Sequence, residues 1–146
     1  MIQERVISRG VVLERRAGDG VTMVGSYERL EVWERAHALA LRIYAVTRNF
    51  PRAELYGLVS QLRRAAVGVP TNIAEGQSRA SRKDYLRFCF IARGSLSELT
   101  YLLRLARDLG YASAEDYTSA VEESDRVGRM LNGLMNYLGK SQVARV

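Results

Sequence analysis

From Tyr27 to Leu138, apolar side chains recur at steps of three and four residues. That spacing places them on one side of a helix, because a helix turns about 100° per residue. Stop signals cut the pattern into four runs. The first run carries Leu30, Trp33, His37, Ala40, Ile43, Tyr44 and Thr47, and ends at Asn49-Phe50-Pro51. Proline disfavours helical geometry in the residue before it. The second begins near Ala53, carries Leu55, Leu58, Leu62, Ala66, Val69 and Ile73, and closes at Gly76 to Ser78. The third starts at Ser81, an N-cap candidate with Asp84 three residues on, and runs to Gly110. The fourth repeats the device with Ser113 and Asp116 and is expected to end at Gly139. Long helices joined by short turns pack as antiparallel neighbours. The expectation is an all-α, up-down-up-down four-helix bundle over residues 27–140, with a C-terminal tail at 141–146.

Residues 1–26 hold Gly10, Gly18, Gly20 and Gly25 and short β-favouring runs, without a helical period. They are expected to be a disordered or loosely attached extension, and Met23 is an alternative start.

The second run contains Pro70 together with Gly68, Asn72, Glu75 and Gly76. Two glycines and a proline in one helix cost about 4–5 kcal/mol against alanine. That cost argues for a packing role. Projected on one helix, Glu54, Gln61, Gly68, Asn72 and Glu75 fall in one sector of about 60°, beside the apolar stripe. Small residues there permit close helix approach, and polar residues at such a contact need partners. On the third run Gly94, Glu98 and Tyr101 share a face. The expectation is a structural or interface stripe of Glu54, Gln61, Gly68, Asn72, Glu75, Gly94 and Glu98. In it Gly94 approaches the second helix, which is kinked but not broken at Pro70. Ion pairs of Glu75 or Glu98 with Arg64 or Arg87 are within reach in this arrangement.

One histidine, one cysteine and no phosphate-binding glycine loop leave little for catalysis. His37 reads as a boundary residue and Cys89 as a small core residue. No helix carries the Glu-x-x-His pairs of a di-metal bundle. No enzyme activity, cofactor or metal is expected. No apolar run approaches the roughly 20 residues of a membrane span, and a lone cysteine excludes an internal disulfide. The expected setting is the cytoplasm.

The net charge is +6, and of 22 basic residues only Lys83 and Lys140 are lysine. Arginine presents a planar fork that matches phosphate. Arg79, Arg82, Lys83 and Arg87 cluster at the corner between the second and third helices, with Tyr85 as an interleaving aromatic. Arg63 and Arg64 lie further back, Arg104 and Arg107 further along, and Arg126 and Arg129 on the fourth helix. The first eight of these are the expected nucleic-acid contacts, with RNA as the partner.

Several motifs carry a family likeness. They are Leu30-x-x-Trp33, Phe50-Pro51 with Glu54 and Gly57-Leu58, Gln61-x-x-Arg64, Pro70-x-Asn72-Ile73-Ala74-Glu75-Gly76, and Ala92-x-Gly94-Ser95-x-x-Glu98. With them, residues 27–140 resemble the four-helix-bundle proteins encoded by intervening sequences of bacterial large-subunit ribosomal RNA genes. The family usually has serine where this chain has Gly68. The resemblance implies a bundle assembled as a homopentamer, and no enzyme. It extends to the accessory variability determinant of diversity-generating retroelements. That likeness implies a second reading, an accessory protein that serves as an adaptor for a reverse transcriptase.

Overall fold

The computed structural model describes residues 5–8, 11–14 and 30–143, the last three of these by backbone alone. A short antiparallel ladder joins Arg5–Ser8 (β1) to Val11–Glu14 (β2), in register from Arg5 opposite Glu14 to Ser8 opposite Val11. The expectation of disorder or loose attachment for 1–26 otherwise lies outside the described residues, as do positions 144–146.

Four helices follow: α1 (Glu31–Thr47), α2 (Leu58–Gln77), α3 (Arg82–Asp108) and α4 (Ala114–Val143). They form a four-helix bundle in which α1 packs on α2, α2 on α3, α3 on α4, and α4 closes on α1. The core is the apolar stripe of each helix. Leu39 and Ile43 of α1, Leu62, Val69 and Ile73 of α2, Cys89, Leu99 and Leu103 of α3, and Val127 and Leu131 of α4 belong to one buried cluster. Burying one such aliphatic side chain contributes about 1.5–3 kcal/mol.

The helix ends follow local chemistry. Ser81 Oγ accepts from Asp84 N at 3.0 Å, and Ser113 Oγ accepts from Asp116 N at 3.1 Å. At the end of α3 Gly110 turns left-handed at φ 78°. Gly110 N donates to Arg107 O and Tyr111 N to Ala106 O, both at 2.9 Å, which is the Schellman arrangement.

Two expected boundaries shift. The second run does not start as a helix at Ala53. Arg52–Glu54 form one 3-10 turn, and α2 starts at Leu58. Glu54 is therefore off the helix, and its Oε2 accepts from Leu58 N at 3.1 Å, filling the place of an N-cap. Leu55, expected in the core stripe, is 47% exposed. At the other end α4 passes through Gly139 to Val143, so Gly139 does not stop it. Among the described residues only Gly110 takes the left-handed geometry that ends a helix.

Helix α2 runs unbroken through Pro70, which is buried. Proline removes a donor and disturbs the carbonyls one turn back. Thr71 Oγ1 donates to Val67 O and Asn72 Nδ2 to Gly68 O, each at 2.7 Å. The side chains next to the proline thus bond the carbonyls of the preceding turn.

The small residues of α2 set its distance from α3. A β-carbon on Gly68 would lie 2.8 Å from Ser95 Oγ. One on Gly76 would lie 2.7 Å from Tyr85 Cδ2 and 2.9 Å from Phe88 Cβ. Gly94, expected to make this approach, is exposed with nothing within 4 Å of its β-position. The close contact belongs to Gly68 and Gly76, because Gly94 lies on the outer side of α3, away from its buried stripe.

Gly76→Ala should destabilise the chain by about 1–3 kcal/mol, since the Tyr85 ring and the Phe88 β-carbon must move. Gly133→Ala, at an open helical site, should be neutral or stabilise by up to about 1 kcal/mol. Urea unfolding followed by circular dichroism separates the two. In the same measurement Glu54→Ala should cost about 1 kcal/mol through the lost cap.

Candidate nucleic-acid interface

The chain turns from α2 to α3 within four residues, Ser78 to Ser81. The turn is short because Gly76 lets Phe88 and Tyr85 close over the end of α2. Ser78 N donates to the carbonyls of Ala74 and Glu75, and Arg79 N to Gly76, so the last turn is tightened rather than open. Arg79, Arg82, Lys83 and Arg87 are thereby brought to one corner.

Three of the four are held by aromatic rings. The guanidinium carbons of Arg79 and Arg87 both lie 4.8 Å from the centre of the Phe88 ring. Arg82 lies 5.1 Å from the Tyr137 ring centre and donates from Nη2 to its hydroxyl at 3.1 Å. Such contacts are worth about 0.5–1 kcal/mol at exposed sites, and they restrict where the fork points. Two carboxylates sit among these cations. Glu75 Oε1 pairs with Arg79 Nη2 at 2.8 Å, and Asp84 stands 4.0 Å from Arg87 Nε. Neither Arg82 nor Lys83 has a carboxylate partner among the described residues.

Arg82 and Lys83 also occupy the first turn of α3. The amino end of a helix carries about half a positive charge, so cations there are disfavoured by about 0.3–1 kcal/mol each. Apart from the contact of Arg82 with Tyr137, the helix end itself opposes these two charges, whereas an anion would be attracted by both the helix end and the side chains.

The remaining expected contacts do not join this corner. Arg104 and Arg107 sit at the far end of α3, about 35 Å away at 1.5 Å per residue. Asp108 occupies both: Arg104 Nε at 3.2 Å and Arg107 Nη2 at 3.0 Å. Their proximity, Arg107 first, holds the Asp108 carboxyl below its usual range. Arg107 further lies 4.6 Å from the Tyr117 ring centre. Arg63 is turned toward α1, donating to Thr47 Oγ1 at 3.0 Å with its guanidinium 4.5 Å from the Tyr44 ring centre. Arg64 is exposed on the same side of α2.

The polar stripe is also redistributed. Glu54 caps α2, Asn72 bonds Gly68, and Gln61 and Glu98 are exposed. Glu75 is half-exposed and pairs with Arg79 rather than with Arg64 or Arg87. Tyr85 does not interleave with the corner. It packs beneath it against Gly76, and its hydroxyl is buried with no partner among the described residues. The ring that interleaves is Phe88. Its place beside Arg87, nine residues after Arg79, was the available signal.

Cys89 is fully buried, and burial pushes its thiol up to about 12; burial also raises Tyr85. His37 is exposed and stacks on Trp33 at 5.1 Å. No group of three or more His, Cys, Asp or Glu side chains that could hold a metal occurs among the described residues. None of their helices is long and apolar enough to cross a membrane.

The profile of the 23S rRNA-intervening sequence proteins matches residues 28–133. The chain belongs to the 23S rRNA-intervening sequence protein family. A solved structure from Bacteroides thetaiotaomicron VPI-5482, of the S23 ribosomal protein family and of unknown function, superposes with a TM-score of 0.65. It is 24% identical, and the match covers 71% of this chain and 97% of that one. That likeness concerns the fold. No curated protein matches the chain. Membership in the intervening sequence protein family agrees with the bundle and with the α2 motif that carries Pro70.

Both raised groups in the core are acids that stay neutral in the folded chain. Their unfolded counterparts ionise from about pH 9, which favours unfolding as pH rises. These two groups should therefore add no pH dependence between about pH 6 and 8 and make stability decline between about 9 and 12. Cys89→Ala should remove part of that decline in urea titrations across this range. In the native protein the thiol should resist alkylation at pH 8 and react only after unfolding.

Proposed function

We propose that this chain is a non-enzymatic, self-associating cytoplasmic protein that binds structured RNA, or an RNA–DNA intermediate, at the α2–α3 corner. The observation that carries this reading is the Arg82–Lys83 pair. Two cations without carboxylate partners stand in the first turn of a 27-residue helix, where the helix itself disfavours them. Arg79 and Arg87 flank them on Phe88 with restricted orientation, which suits phosphate contact. Phosphate contacts position a nucleic acid without reading its sequence, so shape and charge select the partner. Arg104 and Arg107, already occupied by Asp108, contribute less.

The reading includes a particular scaffold. The helices alternate in direction, and α2 bends at Pro70. Contacts between the end of one helix and the start of the next support the alternation: Thr47 with Arg63, and Gly76 with Tyr85. Arg82, at the start of α3, likewise meets Tyr137 near the end of α4. The side-chain bonds from Thr71 and Asn72 to the preceding turn support the bend, since such back-bonding bends helices. Assembly into a ring, for which the family resemblance favours five copies, is supported by apolar side chains left on the surface. The absence of chemistry rests on Cys89 being buried and protonated, and on Glu75 being tied to Arg79.

Binding of a structured RNA hairpin, followed by fluorescence anisotropy against salt, tests this. Four phosphate contacts predict a slope of log affinity against log salt of about −3. The double variant Arg82→Glu, Lys83→Glu should weaken binding at least about tenfold with helicity unchanged. Arg104→Glu with Arg107→Glu should change it less than about threefold. Absent or salt-independent binding would sink the proposal. Affinity for a reverse transcriptase without affinity for RNA would put the adaptor reading in its place.

A further inference from the structure

Two apolar surfaces of this chain have no cover within it. The first is a groove between α1 and α2, made of two adjoining depressions of about 630 and 560 Å³ that share Tyr44, Val67 and Thr71. Large side chains are left exposed along it: Leu41 at 60%, Tyr44 at 44%, and Tyr56, at its end, at 94%. The second is a ridge on the outer side of α3. At about 100° per residue Phe90, Ile91, Gly94, Glu98 and Tyr101 fall on one face, opposite the buried stripe of Cys89, Ala92, Leu99 and Leu103. Phe90, Ile91 and Tyr101 are exposed, the last at 64%. Gly94 sits in their middle with open space above it. A glycine inside a helix costs about 1 kcal/mol against alanine and here meets nothing in its own chain. It does leave room for another backbone to come close.

Each surface leaves one exposed charged side chain without a partner among the described residues, and the two are of opposite sign. In the groove Arg63 is satisfied by Thr47 and Tyr44, whereas Arg64 has no partner among the described residues. On the ridge the neighbouring arginines turn to their own chain: Arg87 to Phe88, and Arg93 to Phe90 and, at 3.5 Å, to Asn132. Glu98 is left exposed without a partner among the described residues. The groove thus presents a lone cation, and the ridge a lone carboxylate between aromatic and aliphatic side chains. A phosphate backbone would be repelled by Glu98 and gains nothing from Ile91. A second copy of this chain carries both the missing ridge and the missing groove.

We infer that the α3 ridge of one copy seats in the α1–α2 groove of the next, with Glu98 against the neighbour's Arg64. The contact is heterologous: each copy offers a ridge on one side and a groove on another. Contacts of that kind propagate around an axis and close into a ring when the rotation allows. Tyr101 and Tyr56 are its aromatic anchors. This inference rests on the self-association proposed above and specifies the surfaces that carry it. It leaves Arg79, Arg82 and Lys83 outside the contact, so these cations of successive copies are repeated around the assembly.

The test is sedimentation equilibrium of the full chain, with charge reversal and rescue. Wild type is expected to be oligomeric. Arg64→Glu alone and Glu98→Arg alone should each weaken self-association at least about tenfold, and the two together should restore most of it. Because both side chains are exposed, the fold should survive each change. A cysteine pair gives an independent readout. Arg64→Cys chains mixed with Glu98→Cys chains should form an intermolecular disulfide, while either alone should not, and buried Cys89 stays out of the reaction. An oligomer indifferent to both charge reversals, or Arg64→Cys chains that cross-link among themselves, would overturn this interface and leave self-association standing. A monomeric wild type would overturn both.

Discussion

Helices α2 and α3 come together where Gly76 meets Tyr85 and Phe88, and a β-carbon there would lie 2.7 Å from a ring. Much else follows from that approach. It lets the chain reverse within four residues, so Arg79 and Arg82 stand close in the same short turn. It buries the Phe88 side chain deeply while leaving its ring in reach of the guanidiniums of Arg79 and Arg87. It also presses Tyr85 into the core beside Cys89, which is why both acids stay protonated. The same contact recurs two turns earlier as Gly68 against Ser95. A serine at 68 would place its β-carbon within 2.8 Å of that hydroxyl, so glycine at this position suits a tighter helix pair.

Charge acts on this scaffold by position, not by total. Twenty-two basic residues spread over the chain, and several are absorbed locally. Asp108 occupies two arginines, Tyr44 and Thr47 hold a third, and Glu123 takes Arg42 at 2.7 Å. The corner differs from these, because two cations sit there at the positive end of a helix. There an added anion relieves repulsion that the fold otherwise tolerates.

Much of the bundle was legible in the sequence because its signals are local. Apolar spacing, the Ser81 and Ser113 caps and the Gly110 stop each depend on residues within one or two turns. The errors came where a helix was extended by phase alone. Glu54 kept phase with Gln61 and Asn72 on paper, but Gly57 interrupts the chain between them and the carboxylate caps instead. Gly94 and Gly76 are alike as letters; only the direction of each helix's buried face decides which one meets a neighbour. Likewise the groove was hidden in plain periodicity. Leu41 lies off the core stripe of α1, Tyr44 was counted within it, and their exposure becomes visible only when α2 is placed beside them. The basic corner was readable as a cluster, but its division into occupied and unoccupied cations needed distances.

The most direct test of the central claim is ultraviolet cross-linking of the intact protein to a structured RNA, with the attached peptides mapped by mass spectrometry. The account predicts adducts concentrated between Arg79 and Phe88, with few at Arg104 to Tyr117. Adducts concentrated at that far end of α3, or spread evenly over the basic residues, would contradict it.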